Sequence, residues 1–416
     1  MKTAIVLGGT VPHIDLVCQL KGRGYKVVLV DYSKEPPAKE YADEHIQEST
    51  LDGDAVLNIA RGRRADLVIS SSVDQANVVC CYVAEQLGLP HPYSYETALN
   101  VTDKVRMKAI MQDSGIRTSR HVSIESFDEI KDHDLRFPIM IKPADSNSAK
   151  GIKKVENMLA AETAFDQAKK YSRNGMIIAE EYVDGIEISV YGYIHDHKPV
   201  VIMIQERIST YDGEDKVIKC YASWAPARIS EKAKLKSQEV LGQIAKAFGL
   251  DNTPLFFQGI VKGDDISVIE FAPRTGGGIS TQTMKKATGF DFISATIDSY
   301  LGKTPDFSNW SPLQKIYAVN QVYAETGVIG EITGWEKLQN DGLVEIISFY
   351  RRRNAKTDAS SASSSRVFVV VVSGVDENEI DRKVDLIFNR IDVVDISGRS
   401  IIRRDLNLAN KSLPRS

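Results

Sequence analysis

The first hundred residues alternate between apolar runs of strand length and segments with a helical period. Residues 3–7, 26–30 and 67–70 predict three buried strands, and residues 12–23 predict a helix between the first two. Strands that alternate with helices favour parallel βαβ units joined by right-handed crossovers. The alternation therefore predicts a parallel α/β domain at the start of the chain.

The composition indicates a globular protein rather than a general nucleic-acid binder. Hydrophobic residues make up 43% of the 416 residues and charged residues 26%, which is ordinary for globular domains. Lys and Arg total 52 against 56 for Asp and Glu, and a net charge of −4 does not attract polyanions in general. We expect no signal peptide, because the start MKTAIVLGG is strand-like, and no membrane span, because no apolar stretch approaches ~18 residues.

The cysteines are too few and too scattered for a disulfide framework or a metal site. Cys18, Cys80, Cys81 and Cys220 form no CxxC pair. Cys80 and Cys81 lie in an apolar run, which predicts buried thiols rather than a disulfide. Reduced thiols are typical of a cytoplasmic protein.

Four clusters of residues have the chemistry of a nucleotide site, and the first is Thr102-Asp103-Lys104. Thr102 is expected to open a helix over residues 103–114. A lysine at a helix N-terminus is suited to bind a phosphate, because its charge adds to the helix dipole. The alternative interpretation is an ordinary cap followed by a surface lysine, since capping residues are common before helices.

The second cluster, FPIMIKPADSNSAKG, covers residues 137–151. Lys142 ends a predicted strand, and small polar residues follow as far as Gly151. Small residues let backbone N–H groups approach a phosphate, and the lysine supplies charge. A Walker loop is excluded because its GxxxxGK motif is missing, and the alternative interpretation is a solvated loop.

The third cluster, AEEYVDGIEIS, covers residues 179–189. A nucleotide site needs an acceptor for the adenine amino group, a backbone donor for a ring nitrogen and a carboxylate for the ribose hydroxyls. Glu180, Val183 and Glu187 are residues of the kinds required. The alternative interpretation is a pair of edge-strand carboxylates in solvent.

The fourth cluster is a predicted hairpin over residues 255–278, LFFQGIVKGDDISVIEFAPRTGGG. Gln258 and Glu270 share a face if the loop between the strands has an odd number of residues, such as 263–265, and they then offer oxygen ligands to Mg²⁺. Glu270 lies in an apolar strand, so its charge needs a metal or Arg274 as a partner. The alternative interpretation is a buried Glu270–Arg274 ion pair beside a glycine turn.

In this order the four clusters resemble the ATP-grasp superfamily, and most of all its carboxylate–amine (thiol) ligase branch. TDKVRMKAIMQDSGI is similar to the start of that fold, and IKPADSNSAKGIKKV is similar to its phosphate-covering loop. EEYVDGIEIS resembles its hinge, and IEFAPRTGGG resembles its metal-binding strand. The resemblance covers roughly residues 1–303, and relatives of this kind include amino-acid ligases and purine-pathway carboxylases.

The resemblance implies roles for individual residues. Lys104 and Lys142 would contact the ATP phosphates, and Arg274 would stabilise the transferred phosphoryl group. Glu270, with Gln258, would bind the metal. The other ATP contacts would come from the hinge and the strand after it, namely Glu180, Glu181, Val183 and Glu187. Weaker substrate candidates are Gly8, Gly9, Gly276, Gly277 and Arg366.

The resemblance also implies a fold of α/β and α+β parts. A Rossmann-like domain would span residues 1–100, a two-lobed ATP-grasp domain 101–309 with its small lobe at about 115–185, and a small C-terminal α+β domain 310–416. The implied reaction joins a small carboxylic acid to an amine through an acyl phosphate. It would use ATP and Mg²⁺, with Mn²⁺ as an alternative metal, and release ADP and phosphate. Homodimers are common among such relatives.

Two departures from the family pattern leave other functions open. Gln258 stands where an acid is common, and Ala272 stands where asparagine is common, so a second metal ion does not follow from the resemblance. These changes motivate a non-catalytic nucleotide-binding homologue as one alternative, and a bicarbonate-using carboxylase is another. A nicotinamide oxidoreductase is disfavoured, because the full GxGxxG motif is missing after the first strand.

Overall fold

The computed structural model describes residues 1–145, 151–213 and 217–413. Its first part contains four strands and four helices. In chain order they are β1 (Lys2–Leu7), α1 (Val11–Gly22), β2 (Tyr25–Asp31), β3 (Glu44–Gln47), α2 (Gly53–Gly62), β4 (Leu67–Ile69), α3 (Asp74–Leu87) and α4 (Tyr95–Thr102). The strands pair in parallel in the order β3-β2-β1-β4, which confirms the predicted α/β domain.

The middle of the chain contains nine strands and five helices among the described residues. In chain order they are α5 (Lys104–Asp113), β5 (His121–Ile124), β6 (Ile139–Pro143), β7 (Lys153–Val155), α6 (Met158–Lys169), β8 (Ile177–Glu181), β9 (Ile186–His195), β10 (Lys198–Asp212), β11 (Val217–Ala225), α7 (Glu231–Ala247), β12 (Thr253–Lys262), β13 (Asp265–Ala272), α8 (Ser280–Thr288) and α9 (Phe292–Tyr300). An antiparallel sheet in the order β5-β8-β6-β7 lies within the predicted small lobe, with α6 packed on it.

The last part adds six strands and two helices among the described residues. In chain order they are β14 (Ile316–Tyr323), β15 (Gly327–Thr333), β16 (Ile346–Phe349), β17 (Lys356–Thr357), α10 (Ala362–Ser365), β18 (Arg366–Gly374), α11 (Glu377–Arg390) and β19 (Asp392–Asp395). Across all three described segments, no helix is long and apolar enough to cross a membrane.

One antiparallel sheet of eight strands joins the middle of the chain to its last part. The strand order is β13-β12-β9-β10-β11-β14-β18-β16. The step from β11 to β14 pairs Ala222 with Asn320 and Ala225 with Tyr317, so sheet hydrogen bonds cross the predicted division at residue 309. One face of β9, β12 and β13 packs on α7, which leaves the opposite face for the polar residues of the site.

The core of the first domain is completed by a helix from much later in the chain. Ile293, Ile297 and Tyr300 of α9 pack into the apolar cluster around β1, β2 and β4. The Tyr300 hydroxyl donates a hydrogen bond to the Asn77 side chain on α3 at 3.1 Å. On the same helix Cys80 and its neighbour Cys81 are buried free thiols, as predicted.

Two local expectations from the sequence are wrong. Asp103, not Thr102, caps α5, and its carboxylate accepts hydrogen bonds from two backbone N–H groups of the first turn at 2.9 and 3.1 Å. Thr102 is instead the last residue of α4. The short side chain of Asp103 satisfies two of the N–H groups that a helix start leaves unpaired.

The hairpin of β12 and β13 has the predicted pairing of Gln258 with Glu270, but its turn differs from the predicted one. Its turn has two residues, Gly263 and Asp264, rather than three, and Gly263 has a φ of +63°. A two-residue turn alone would place Gln258 opposite Ile269. A β-bulge at that point adds one residue to β13, so Gln258 lies opposite Glu270 instead.

Packing of α7 on the large sheet predicts that Gly192→Ala destabilises the protein. A methyl group at Gly192 would overlap the Leu241 side chain and lie 2.7 Å from the Val200 carbonyl oxygen. We expect a loss of about 1–3 kcal/mol in the free energy of unfolding, measured by denaturant titration. The control is Gly62→Ala in α2, where nothing lies within 4 Å of the new methyl group. Equal unfolding midpoints for the two variants would contradict this packing.

Candidate functional site

A buried carboxylate between two lysines lies where the small lobe meets α5. Glu180 on β8 is 7% exposed, Lys142 on β6 is 5% exposed and Lys108 on α5 is 1% exposed. The Lys142 ammonium donates to Glu180 Oε1 at 2.5 Å, and the Lys108 ammonium lies 2.8 Å from Oε2. The Ser119 hydroxyl also donates to Oε2 at 2.8 Å. Both oxygens of this carboxylate are therefore engaged.

The charges of this cluster are strongly coupled. Burial alone raises the pKa of the Glu180 carboxyl, but Lys142 and Lys108 outweigh it and hold that pKa well below its usual range. Burial lowers the pKa of Lys108 from its ordinary value, although Glu180 opposes this shift. With all three groups ionised, two ammonium groups and one carboxylate leave a net charge of +1 for an anion such as a phosphate.

Lys108 also connects this cluster to the large sheet. Its ammonium donates to the Thr118 hydroxyl at 3.0 Å, and that hydroxyl donates to the Val268 carbonyl oxygen on β13 at 2.8 Å. Thr118 and Val268 form a parallel bridge. Lys104 lies one helical turn before Lys108 on the same helix, at the N-terminus of α5.

The predicted hinge is held by backbone hydrogen bonds. The N–H of Glu181 donates to the Arg120 carbonyl oxygen at 2.8 Å, and the N–H of Tyr182 donates to the Pro138 carbonyl oxygen at 2.9 Å. The Glu181 carboxylate accepts from the N–H of Arg136 at 3.0 Å. These contacts fix the backbone that leads to Val183, which is half-buried.

Glu187 follows the hinge and pairs with an arginine on the next strand. Arg207 Nε on β10 donates to Glu187 Oε1 at 2.6 Å. Burial opposes the charge of Arg207, but Glu187 and other nearby groups outweigh it and raise the arginine pKa. The carboxylate predicted to bind ribose is thus held in place by a cation that the sequence did not single out.

Polar side chains form one row across four strands of the large sheet. Glu270 lies opposite Gln258, Gln258 opposite Ser189, and Ser189 opposite Gln205. The buried Ser189 hydroxyl and the Gln205 amide nitrogen have no hydrogen-bond partner in the structure. Buried polar atoms are normally paired, so this row is suited to a polar ligand.

The carboxylate and amide at the end of this row fit a magnesium ion. No ion pair within 4 Å joins Glu270 to another residue of the described segments, so its charge remains available to a cation. Clusters of three or more acidic, histidine or cysteine ligands are likewise missing from the described segments. Mg²⁺ fits such a sparse set, because it keeps several waters and takes other ligands from phosphates.

Arg274 forms its ion pair with Asp74 of the first domain and not with Glu270. Arg274 Nε lies 2.5 Å from Asp74 Oδ1, and Nη2 lies 2.7 Å from Oδ2. The guanidinium stacks over the Phe256 ring at 5.1 Å. Burial opposes the charge of Arg274, but Asp74 and, to a smaller extent, Glu270 outweigh it and raise the arginine pKa. The alternative of a simple Glu270–Arg274 pair is therefore wrong.

Electrostatic interactions link several of these groups. The Glu270 charge acts on the pKa of Lys108 and on that of Arg274, and the Lys142 charge acts on the pKa of Lys108. The predicted phosphate-covering loop at residues 146–150 lies outside the described residues. Apart from that loop, the side chains predicted to bind ATP and metal lie on α5, in the predicted small lobe and on the large sheet.

The glycines of the first turn have local structural roles. Gly8 has a φ of +101°, and a methyl group there would lie 2.9 Å from the His13 ring. The N–H of Gly9 donates to Asp31 Oδ2 at 2.7 Å, and a methyl group there would lie 2.5 Å from the Pro36 side chain. These contacts explain both glycines without a substrate, so their substrate role remains a prediction.

The other weak substrate candidates lie just after β13, at Gly276 and Gly277, and at the start of β18, at Arg366. A methyl group on Gly276 would lie 2.6 Å from both the Ser280 hydroxyl and the Tyr191 ring, whereas Gly277 is exposed with open space beside it. The Arg366 guanidinium lies 5.7 Å from the centre of the Tyr350 ring. Open space at Gly277 fits a close approach of backbone to a ligand.

Among the described residues, three charged side chains within 3 Å of a predicted site side chain were not identified from the sequence. They are Lys108, Asp74 and Arg207. Lys108 carried a usable signal, because residues four apart share one face of a helix, and Lys104 was already a candidate. Asp74 and Arg207 carried no such signal, since each is defined by a partner that is distant in the sequence.

Comparisons with known proteins identify a domain that contains most of the predicted site residues. A model of the ATP-grasp domain family matches residues 135–283. The formate-dependent phosphoribosylglycinamide formyltransferase of Mannheimia haemolytica is 23% identical over 378 residues, which cover 83% of this chain and 93% of that protein.

Solved structures of ligases and carboxylases share this fold. An L-amino acid ligase from Bacillus licheniformis has 18% sequence identity and a TM-score of 0.80, with 95% of this chain and 99% of that chain covered. The biotin carboxylase domain of the Hydrogenobacter thermophilus 2-oxoglutarate carboxylase, in complex with MgADP and bicarbonate, has 13% identity and a TM-score of 0.76. That match covers 96% of this chain and 92% of the other.

Glu180→Gln is expected to destabilise the protein in a pH-dependent way. At pH 7 the free energy of unfolding should fall by about 3–5 kcal/mol, because two buried lysines lose their carboxylate. The pKa of Glu180 is held below its ordinary value of 4.5, so its ion pairs stabilise the fold above that pH and lose this effect as the pH falls below it. Denaturant unfolding should therefore show a difference from wild type that shrinks only below about pH 4.5.

The control for this experiment is Glu44→Gln. Glu44 forms an ion pair with Arg63 at 2.5 Å, but both side chains are partly exposed to solvent. Its loss should cost less than about 1 kcal/mol. The interpretation of the buried cluster is wrong if Glu180→Gln costs no more than this control.

Proposed function

We propose that this chain, which carries an ATP-grasp domain, is an ATP-dependent ligase that uses Mg²⁺ and joins a small carboxylic acid to an amine. The acid would be activated as an acyl phosphate, and ADP and phosphate would be released. The observations that support this proposal best are electrostatic. Glu270 interacts with Arg274 and with Lys108. Lys108 and Lys142 share one carboxylate partner. A cation site, a phosphate-binding lysine and an arginine next to one another suit phosphoryl transfer.

The lysines are proposed to bind the phosphates of ATP. Lys142 is held by Glu180, and Lys108 shares that carboxylate, so the cluster retains one positive charge for an anion. Lys104 would add a second charge from the N-terminus of α5, where the helix dipole also favours anions. Because the protein fixes these charges before the substrate arrives, little reorganisation is needed when charge shifts during transfer.

Nucleotide recognition is proposed for the hinge and the strand that follows it. Glu181 and Val183 would offer backbone groups to adenine, and Glu187 would bind the ribose hydroxyls. The Glu180 carboxylate already accepts three hydrogen bonds from protein donors. A contact from Glu180 to the adenine amino group would therefore have to use a remaining lone pair.

Glu270 and Gln258 are proposed to hold Mg²⁺, with Mn²⁺ as an alternative. When bound there, the metal would neutralise phosphate charge. Gln258 contributes one amide oxygen and no charge, so the site is less negative by one than a pair of acids. Arg274 would stabilise the transferred group with the guanidinium donors that Asp74 does not use.

The substrates are proposed to be a small carboxylic acid and an amine. Residues of the first domain and of the last part of the chain would contact them. Gly276, Gly277 and Arg366 remain the proposed contacts on that side, with weaker candidates at Gly8 and Gly9. A cytoplasmic location is proposed from the free thiols, and a homodimer from the dimeric relative.

The function is tested by a screen of ADP release with Mg·ATP and acids and amines supplied in pairs. We expect release that needs both an acid and an amine. Bicarbonate-dependent release without another acid would instead favour a carboxylase. ATP binding with no substrate-dependent release across a broad panel would contradict the proposed ligase reaction.

Lys142→Ala and Arg274→Ala are each expected to lower kcat by about 10²-fold or more with the substrates found in that screen. Each variant removes a charge that faces the transferred phosphoryl group. The control is Arg63→Ala, which removes a partly exposed arginine of the first domain. Near-normal turnover in either site variant would show that the role assigned to that residue is wrong.

Gln258→Glu is expected to lower the Mg²⁺ concentration needed for half-maximal ADP release by several-fold. The added carboxylate lies opposite Glu270 and restores one negative charge to the cation site. Gln258→Leu should raise the requirement, because it removes the amide oxygen, and Gln258→Asn serves as a neutral control. An unchanged Mg²⁺ dependence in all three variants would exclude Gln258 as a ligand.

A further inference from the structure

Three residues of the first domain bind the segment that carries Arg274. Asp74 binds the guanidinium through two hydrogen bonds of 2.5 and 2.7 Å. The Thr275 hydroxyl donates to the Ser71 carbonyl oxygen at 2.6 Å. The Tyr93 hydroxyl donates to the Pro273 carbonyl oxygen at 3.4 Å. Three consecutive residues of the site are thus fastened to the first domain.

The hydrogen bonds of Arg274 leave part of its guanidinium unused. An arginine has five N–H donors, of which Asp74 takes two and the Thr275 carbonyl oxygen takes one at 2.6 Å. Within the described segments two donors remain, one on each terminal nitrogen. Each remaining donor can bind an oxygen of a phosphoryl group.

The orientation of the guanidinium is fixed in two ways. The Phe256 ring lies under it at 5.1 Å and sets its plane. The two hydrogen bonds to Asp74 prevent rotation within that plane. Without Asp74 the guanidinium would keep its charge but lose the orientation of its free donors.

We propose that Asp74 is a positioning residue, which orients Arg274 so that the two donors not used within the described segments bind the phosphoryl group. This inference rests on the proposed function, because it assumes that Arg274 contacts that group. It places a residue of the first domain in the phosphoryl-transfer machinery, although Asp74 itself need not touch ATP. Docking of the domains would then affect the rate of transfer as well as stability.

A purely structural role for Asp74 is the competing explanation. Docking is also served by a second ion pair of the same kind, in which the guanidinium of Arg23, the residue that follows α1, binds the Asp298 carboxylate of α9 at 2.6 and 3.3 Å. That pair lies at helices that contribute no predicted site residue. Asp298→Asn is therefore a matched control for Asp74→Asn, since each removes one charge from an arginine–aspartate pair between the same two parts.

The first experiment measures turnover with the substrates found by the ADP-release screen. Asp74→Asn is expected to lower kcat about 10-fold to 100-fold, by analogy with other supporting residues behind a binding group. The KM for ATP should rise by no more than about tenfold, because Lys142 and the hinge still bind ATP and only the γ-phosphoryl contacts of Arg274 are weakened. Asp74→Glu should recover part of the rate, and Asp298→Asn should keep it. A normal kcat in Asp74→Asn, even with a lowered unfolding midpoint, would overturn the proposal.

A double variant tests whether the two residues act as one unit. If Asp74 acts only through Arg274, Asp74→Asn combined with Arg274→Ala should be no slower than Arg274→Ala alone. Multiplied losses in the double variant would overturn the proposal, because they would show that Asp74 has an independent role.

A binding experiment separates this inference from the proposed reaction. Calorimetry compares the affinity for the Mg²⁺ complex of the β,γ-imido analogue of ATP with that for Mg·ADP, so the ratio reports contacts with the γ-phosphoryl group. Arg274→Ala and Asp74→Asn should each lower this ratio about tenfold, and Asp298→Asn should not change it. This pattern in a protein that fails the ADP-release screen would support the role of Asp74 and contradict the ligase reaction. A ratio that falls in Arg274→Ala but not in Asp74→Asn would overturn the inference.

Discussion

One buried carboxylate links the predicted small lobe to α5 and, through it, to the large sheet. Glu180 accepts from Lys142 within the small lobe and from Lys108 on α5, and Lys108 continues through Thr118 to the backbone of β13. Taking three charges out of water is costly, so this arrangement is stable only while every partner is present. The same arrangement leaves an excess positive charge at the proposed nucleotide site. Glu180 is therefore needed both for the stability of the fold and for the charge of the proposed site.

Much of the fold follows from the periodicity of the sequence. The parallel sheet of the first domain and the pairing of Gln258 with Glu270 were both predicted from short stretches of residues. The turn and the bulge that produce that pairing were not predicted, because the bulge at Ile269 compensates for the shorter turn. Nothing in the local sequence distinguishes this combination from a longer turn with regular strands, since both give the same alignment of side chains.

The site was predictable in its residue types and less so in its partners. Lys142, Glu180 and Glu187 stand at the ends of predicted strands, where ligands are expected. The ion-pair partners of site residues were harder to predict. Arg274, for example, pairs with Asp74, which is 200 residues away in the sequence. Such pairs become visible only when the tertiary fold brings them together, and a single sequence carries no signal of their proximity.

The eight-stranded sheet limits how such a chain can be recombined. A segment that replaces everything after α9 must supply a strand that pairs with β11 along Ala222–Ala225, as β14 does now. Without such a strand, β11 would expose a row of unpaired backbone N–H and C=O groups, and an exposed edge of this kind promotes aggregation. Because α9 in turn completes the core around β1, exchange of the first part is constrained as well. Divergence among proteins of this architecture should therefore proceed by substitution within loops and strand ends more readily than by swapping whole parts.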